Sequence, residues 1–384
     1  MTYTTLAAHC HNAGTPYHVL AVSQQRGVSV QKRVRDALQV SIIGTPLVYC
    51  GLAKDVHVYG RSFLHTRDGE ISHCQSYQNN FEYNFKEAKA AFIDSRSDLF
   101  TEWLGEECVF FGGMNLEATP SGLSHTLPGA ANFGHFVFEY LNRLAIFEQL
   151  GLMDLPFVVY DCLPPRHLEW LKHFGVRKFL MIPPTGSPAF RKMWVSSAPH
   201  YRGKDGMFRF WNSGLHRFRG MASVLPTAPK RIYLGREAAE WRNLTNEPEV
   251  KAFLADQGFT FPQMSALSPA EQIALMRSAE LVVAVAGAGT ILTHFAPEHC
   301  AVCVLFPHEA IGTGPWGGLG AAIALGQHYE RINGISVPRD NPKPNVSGAD
   351  EGADFSVDVN QLRAWLDMAE KLMAANQSRN ALGI

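Results

Sequence analysis

The sequence predicts an α/β protein in two domains, and three observations predict it. Short β-rich apolar runs alternate with segments of helical periodicity along most of the chain. A Pro/Gly/Ser-rich stretch from Ser197 to Gly206 and a second break at Pro226 to Pro229 interrupt that alternation, dividing the chain into 1–222 and 223–384. The apolar run Leu281 to Val285 ends at Ala286-Gly287-Ala288-Gly289-Thr290 and then resumes with helical spacing, as a buried strand feeding a helix does.

Size and composition agree. The chain has 384 residues, more than one domain at a prior of about 150 residues per domain. With 46% hydrophobic residues and 24 Phe it can bury large cores. A net charge of -1 gives no electrostatic reason to expect nucleic acid. The N-terminus lacks the basic, apolar, small-residue order of a signal peptide. The longest apolar run, Leu281 to Leu292, is too short and glycine-broken to span a bilayer. The expectation is a cytoplasmic protein without a transmembrane segment, with peripheral membrane association left open.

In the first domain, Val40 to Ile43 and Val56 to Val58 read as strands. Asn132 is a suitable N-cap for a helix that carries Phe136, Tyr140, Leu144 and Phe147 on one face and His135, Glu139 and Asn142 on the other. Phe157 to Tyr160 is a strand, His167 to Phe174 a helix, and Lys178 to Ile182 a strand ending at Pro183-Pro184. Phe208 to Phe218 is an aromatic, helix-like segment. Such alternation indicates a mostly parallel sheet covered by helices.

In the second domain, Arg231 to Leu234 is a strand that leaves Arg236 at its end, followed by a polar loop from Trp241 that enters a helix near Asn246, a candidate N-cap. Ser268-Pro269-Ala270-Glu271 has the form of a capping box with proline at the first helical position. Ala301 to Pro307 is a second strand, Gly312 to Gly320 a glycine-rich loop around Trp316, Pro338 to Ala353 a polar loop, and Val359 to Ala375 an amphipathic closing helix.

The glycine turn carries the chemistry. The first N–H groups of a helix lack intrahelical partners and hold the positive end of its dipole, so the turn suits an anion, above all a phosphate. The third glycine of a dinucleotide fingerprint would fall at Leu292, and no Gly-x-x-x-x-Gly-Lys-Ser/Thr occurs. Tight helix-on-sheet packing is the competing explanation for Gly287 and Gly289.

The seven cysteines, at 10, 50, 74, 108, 162, 300 and 303, are scattered and odd in number, which argues against a disulfide scaffold. His294, His299, Cys300 and Cys303 suggest zinc at first sight. Both cysteines instead fall in an apolar strand-like run, where alternate side chains diverge, and no metal is expected.

The succession of Arg231 to Arg236, Trp241 to Glu249, Gly258-Phe259, Leu267 to Ile273, the glycine turn and Ala301 to Pro307 resembles glycosyltransferase family 61. The resemblance reaches back to Asn132-Phe133-Gly134-His135 with Glu139, and to Val56 to Gly60 and Thr66 to Gly69, so it covers most of the chain. Ala286 stands where the family pattern carries histidine, Thr290 where it carries leucine, and Val304 where members often carry glutamate; His308 and Glu309 follow the strand as substitutes.

The resemblance implies a GT-B-like fold, two Rossmann-like domains facing across a cleft, with the closing helix returning to the first domain. It implies an inverting, metal-independent transfer from a nucleotide sugar, a UDP-sugar in the first instance, to a glycan acceptor in polysaccharide or capsule biosynthesis. No cofactor is implied. Glu139 would be the base and His135 its orienter, with the reverse assignment also open, and Asn132 would stand beside them. Arg236, Arg242, Asn246, Gly287, Ala288, Gly289 and Thr290 would hold the donor. Without the resemblance, Glu139 pairs with Arg143 on an exposed helix surface, and Arg242 with Glu240 or Glu247. A nucleotide-sugar epimerase or hydrolase of the same fold, and an inactive nucleotide-sugar-binding protein, remain as alternatives.

Overall fold

The structure is a computed structural model that describes residues 3–5, 10, 14–21, 24–34, 37–45, 48–59, 63–66, 69–72, 103–111, 117–119, 122–124, 133–161, 163–182, 189–202, 208–221, 229–236, 239, 242–307, 321–322, 324–337 and 353–382. It divides into two compact units. Met1–Lys204 with Arg209–Met221 form the first, and Asp205–Phe208 with Ala222–Ile384 the second. Among the described residues, no helix is long and apolar enough to cross a membrane.

The first unit holds a nine-stranded sheet. Ala189–Ser196, Trp103–Phe110, Phe157–Tyr160 and Phe179–Ile182 lie side by side in that order and run parallel. All four residues of Phe157–Tyr160 are buried, as a strand covered on both faces requires. Beyond Ala189–Ser196, however, Val48–Tyr59 pairs antiparallel, and Phe63–Thr66 and Tyr17–Ala21 pair antiparallel to it in turn. The sheet is therefore mixed, which corrects the expectation of a mostly parallel, Rossmann-like first domain. Alternating hydrophobic runs reveal where strands fall but not which strand pairs with which.

The second unit carries the strands that build the candidate site. In chain order they are β1 (Arg231–Leu234), β2 (Leu281–Val285), β3 (Ala301–Pro307), β4 (His328–Val337) and β5 (Asp354–Ser356). Their order in space is the same. β1 to β4 run parallel and β5 pairs antiparallel with the last residues of β4. Helix α1 (Glu247–Asp256) and helix α2 (Pro269–Arg277) connect β1 to β2, and α3 (Val359–Leu382) closes the unit.

Between α1 and α2 the chain touches β1 once more. Tyr233 N donates to Thr260 O at 2.9 Å and Thr260 N to Arg231 O at 3.0 Å, a parallel bridge of Ile232 with Thr260. The expected capping box opens α2: Ser268 N donates to Glu271 Oε2 at 2.7 Å and Glu271 N to Ser268 Oγ at 3.3 Å.

β2 and β3 are buried along their whole length. On one face, Leu281, Val283 and Val285 of β2 pack with Leu305 of β3, Val250 and Leu254 of α1, and Leu362, Trp365, Leu366 and Ala369 of α3. A fully buried Leu or Val side chain contributes about 1.5–3 kcal/mol, so α3 is an integral part of this core. The closing helix thus covers its own unit's sheet, its apolar stripe matching the face left open beside α1. It also runs to Leu382, beyond the expected Ala375.

Candidate functional site

The single bridge at Thr260 decides where a ligand site forms. From β1 the chain first moves outward to Thr260, on the edge away from β2, and then returns across β1 to form β2 on the other side. This reversal is a topological switch point. In open α/β sheets the crevice outside the carboxyl ends of strands at such a point is where ligands bind, because the connecting segments diverge there.

A cavity of about 510 Å³ occupies that position. Leu234, Gly235, Arg236 and Ala239 line it from the end of β1, Val285 and Gly287, Ala288, Gly289 and Thr290 from the end of β2, and Pro262, Gln263, Met264 and Ser265 from the segment after Thr260. The structure therefore brings Arg236 and the glycine turn together. The Pro262 to Ser265 wall has no sequence signal of its own, because it depends on one non-local bridge.

The segment after the turn is a 3-10 helix, Ala288–Phe295, rather than an α-helix. Its first bond runs from Thr290 N to Gly287 O at 3.1 Å, and Thr290 Oγ1 also donates to Gly287 O at 2.7 Å. The N–H groups of Ala288 and Gly289 precede that bond, the position in which helix donors serve an anion. Gly287 has φ 179, extended backbone that any residue adopts, so space and not conformation requires glycine. A Cβ there would lie 2.1 Å from Arg236 Nη1. At Gly289 a Cβ would meet nothing within 4 Å.

Arg236 Nη1 donates to Ala286 O at 2.7 Å. Its Nε is buried with no hydrogen-bond partner among the described residues. Burial, and then the nearby Arg242 guanidinium, push its pKa down to about 10, while Asp354 opposes the shift. Arg242 itself has φ 59, the left-handed region, which costs a non-glycine residue about 1–3 kcal/mol and is held only where surrounding bonds enforce it. Arg236 thus lines the cavity with the glycine turn, while Arg242 lies close enough to depress its pKa but does not line the cavity. A phosphate fits such donors through paired hydrogen bonds.

Asn246 lies at the N-cap of α1 but makes no side-chain cap bond. Its amide Nδ2 donates to Val357 O at 2.9 Å and to Glu249 Oε2 at 3.0 Å, and its Oδ1 accepts from Val357 N at 3.1 Å. These bonds tie two parts of the chain together, and Asn246 does not line the cavity. The surface partner expected for Arg242, Glu247, instead accepts from Tyr233 Oη at 2.9 Å and pairs with Lys251 at 3.2 Å. Gly235 leaves room for that carboxylate, since a Cβ would lie 2.7 Å from Glu247 Oε1. The other suggested partner, Glu240, lies outside the described residues, as do His308, Glu309 and the loop Gly312 to Gly320.

In the first unit, Asn132 lies outside the described residues, as do the side chains of His135 and Glu139. The backbone that carries them changes helix type three times. Phe133–His135 is α, Phe136–Tyr140 π, Leu141–Arg143 3-10 and Leu144–Gln149 α. Single π turns inside helices recur at functional sites. Phe136, Tyr140, Leu144 and Phe147 are buried as expected.

Asn142 is buried as well, at 3% exposure, although helical spacing had set it on the face opposite the core. The π turn changes the phase of the helix before Asn142, so a 3.6-residue wheel misplaces it. Arg143 is fully buried, donates from Nη1 to Phe111 O at 3.3 Å and lies 4.9 Å from the Tyr140 ring centre. This burial overturns the alternative of an exposed Glu139–Arg143 pair.

Cys300 and Cys303 are both fully buried. Burial pushes the Cys303 thiol well above its ordinary range, away from the thiolate a metal would bind. Among the described residues no three His, Cys, Asp or Glu side chains form a metal-holding group.

The family model Glycosyltransferase 61 matches residues 133–303, from the irregular helix of the first unit through the switch-point cavity to β3. No curated protein matches the chain. The matched segment includes Arg236, the glycine turn and the helix of Glu139, and this segment belongs to glycosyltransferase family 61.

Proposed function

We propose that this glycosyltransferase moves a sugar from a nucleotide sugar, a UDP-sugar, to a hydroxyl of a glycan acceptor in cytoplasmic polysaccharide or capsule biosynthesis, with inversion and without a metal. The observation that carries the reading is Arg236 at the switch-point cavity, beside the glycine turn and Arg242. In this reading the diphosphate lies against the Ala288 and Gly289 N–H groups and the two guanidinium groups, which neutralise the charge that builds as it departs. The sequence contains no Asp-x-Asp pair of the kind that holds a divalent ion against a diphosphate.

The acceptor hydroxyl attacks the anomeric carbon from the face opposite the diphosphate. As the new C–O bond forms, the bond to the phosphate oxygen breaks and its electron pair leaves with the nucleoside diphosphate. Glu139 takes the hydroxyl proton, and His135, with Asn132, orients the carboxylate or the acceptor. Ala286, in place of histidine, is compatible with an active site. Its side chain is buried, and the contact made to Arg236 comes from its carbonyl.

Calorimetric titration of UDP in EDTA, with GDP and CMP as controls, tests the donor site on the wild type and Arg236→Ala. The expected result is UDP binding by the wild type and its loss in the variant. Absence of binding to any of the three nucleotides overturns the reading.

A further inference from the structure

The short strand β5 lies beyond the residues that match the family, yet it holds the loop that carries Arg242. Phe355, fully buried, bridges in parallel with Leu244. Phe355 N donates to Asn243 O at 3.0 Å, Thr245 N donates to Phe355 O at 2.7 Å, and the Asn246 amide closes on Val357. The first rung of this lacing is a carboxylate. Asp354 Oδ1 accepts from the Asn243 N–H at 2.7 Å and from Asn243 Nδ2 at 3.1 Å.

Those two bonds fall on the residue that directly follows Arg242, whose left-handed backbone must be enforced from outside. A neutral acceptor would serve the backbone equally well.

We infer that Asp354 is the positioning residue of the anion site: its acceptor oxygen fixes the backbone turn from which Arg242 is presented beside Arg236. The inference deepens the diphosphate reading and rests on it for the identity of the ligand, but not for the positioning itself. The shift of Arg236 is consistent with it, since Arg242 depresses and Asp354 raises that pKa.

The test compares Asp354→Ala and Asp354→Asn in the full chain, by UDP and inorganic diphosphate titration and by amide hydrogen exchange. Asp354→Ala is expected to weaken binding at least about tenfold, the scale of a lost charge-assisted hydrogen bond. Asp354→Asn keeps the acceptor oxygen and is expected to recover most of the affinity. In an Arg242→Ala background, Asp354→Ala is expected to add no further loss, which a merely structural role does not produce. Exchange at Asn243 N–H is expected to accelerate in Asp354→Ala. Unchanged Asn243 exchange, undiminished affinity in Asp354→Ala, no recovery in Asp354→Asn, or a further loss in the Arg242→Ala background each overturns the inference. If the wild type binds diphosphate but no nucleotide, the donor reading fails while these comparisons with diphosphate still decide the role of Asp354. If it binds neither, the donor reading fails and Asn243 exchange alone decides.

Discussion

The guanidinium of Arg236 fills the space that a side chain on Gly287 would need, with Nη1 2.1 Å from the position of a Cβ. Glycine and arginine thus form one unit of the site, although they are far apart in sequence. Gly287→Ala is expected to push Arg236 off the Ala286 carbonyl and lower UDP affinity at least about tenfold, the loss of a charge-assisted contact. Its unfolding temperature should change little, because the displaced group is the end of a flexible side chain. Gly289→Ala, where a Cβ meets open space, should leave the unfolding temperature unchanged. Titration and thermal unfolding of both variants check the pair, and equal UDP affinity in Gly287→Ala and wild type refutes the steric account.

The lowered pKa of Arg236 makes a prediction about pH. A base whose folded pKa is depressed, here to about 10, loses its proton in the folded state before the unfolded one. Its burial penalty is therefore present at neutral pH and is relieved as pH rises through that window, so the contribution to stability increases there. Anion affinity moves the opposite way. Between pH 7 and pH 9 Arg236 should hold UDP with little change, and the affinity should fall as pH approaches about 10. Lysine starts lower, at about 10.4, so in Arg236→Lys the same burial and the same Arg242 should bring the fall to lower pH. Identical pH profiles for the two proteins count against Arg236 as the titrating ligand group.

Glu139→Gln separates chemistry from binding. Removal of a general base costs about 10²–10⁴ in rate, so sugar transfer should fall by that order while UDP affinity stays near the wild-type value. Single-turnover assays with a donor and acceptor glycan measure the first, calorimetry the second. Full activity in Glu139→Gln, with transfer lost in His135→Ala, reverses the two assignments.

Ser268→Ala tests local stability alone. It removes the side-chain acceptor from the capping box of α2, which should cost about 1 kcal/mol. Chemical denaturation should register that loss with the slope unchanged. A change near zero means that the Pro269 start and the buried face of α2 fix the helix without the cap.

The legible parts of the chain were those whose signals are local. The capping box at Ser268, the buried strands at Leu281 and Ala301, and the glycine turn each depend on a few adjacent residues, and each stands where spacing set it. The resemblance to glycosyltransferase family 61 rested on the same stretches, and the family match covers residues 133–303. What escaped reading was non-local or changed period. The Thr260 bridge is one residue long, yet it creates the switch point. Asp354 is a single aspartate at the end of a polar loop, and only the fold brings it to Asn243. The antiparallel partner of Ala189–Ser196 comes from Val48–Tyr59, a pairing with no trace in either strand's own pattern. Asn142 was misplaced because an α-helical wheel does not hold across a π turn.

The packing of α3 on its own unit bears on which piece of this chain can stand alone. A fragment cut at the limits of the family match would end inside β3, without β4, β5 or α3. β3 would become a bare edge strand, its hydrogen-bonding groups unpaired along the side that β4 now covers. The apolar face now sealed by Leu362, Trp365 and Leu366 would open to water as well. Unpaired edges beside exposed hydrophobic faces are templates for aggregation, so such a fragment should precipitate or pair with itself. A soluble piece that keeps the glycine turn must extend through Ala369 at least.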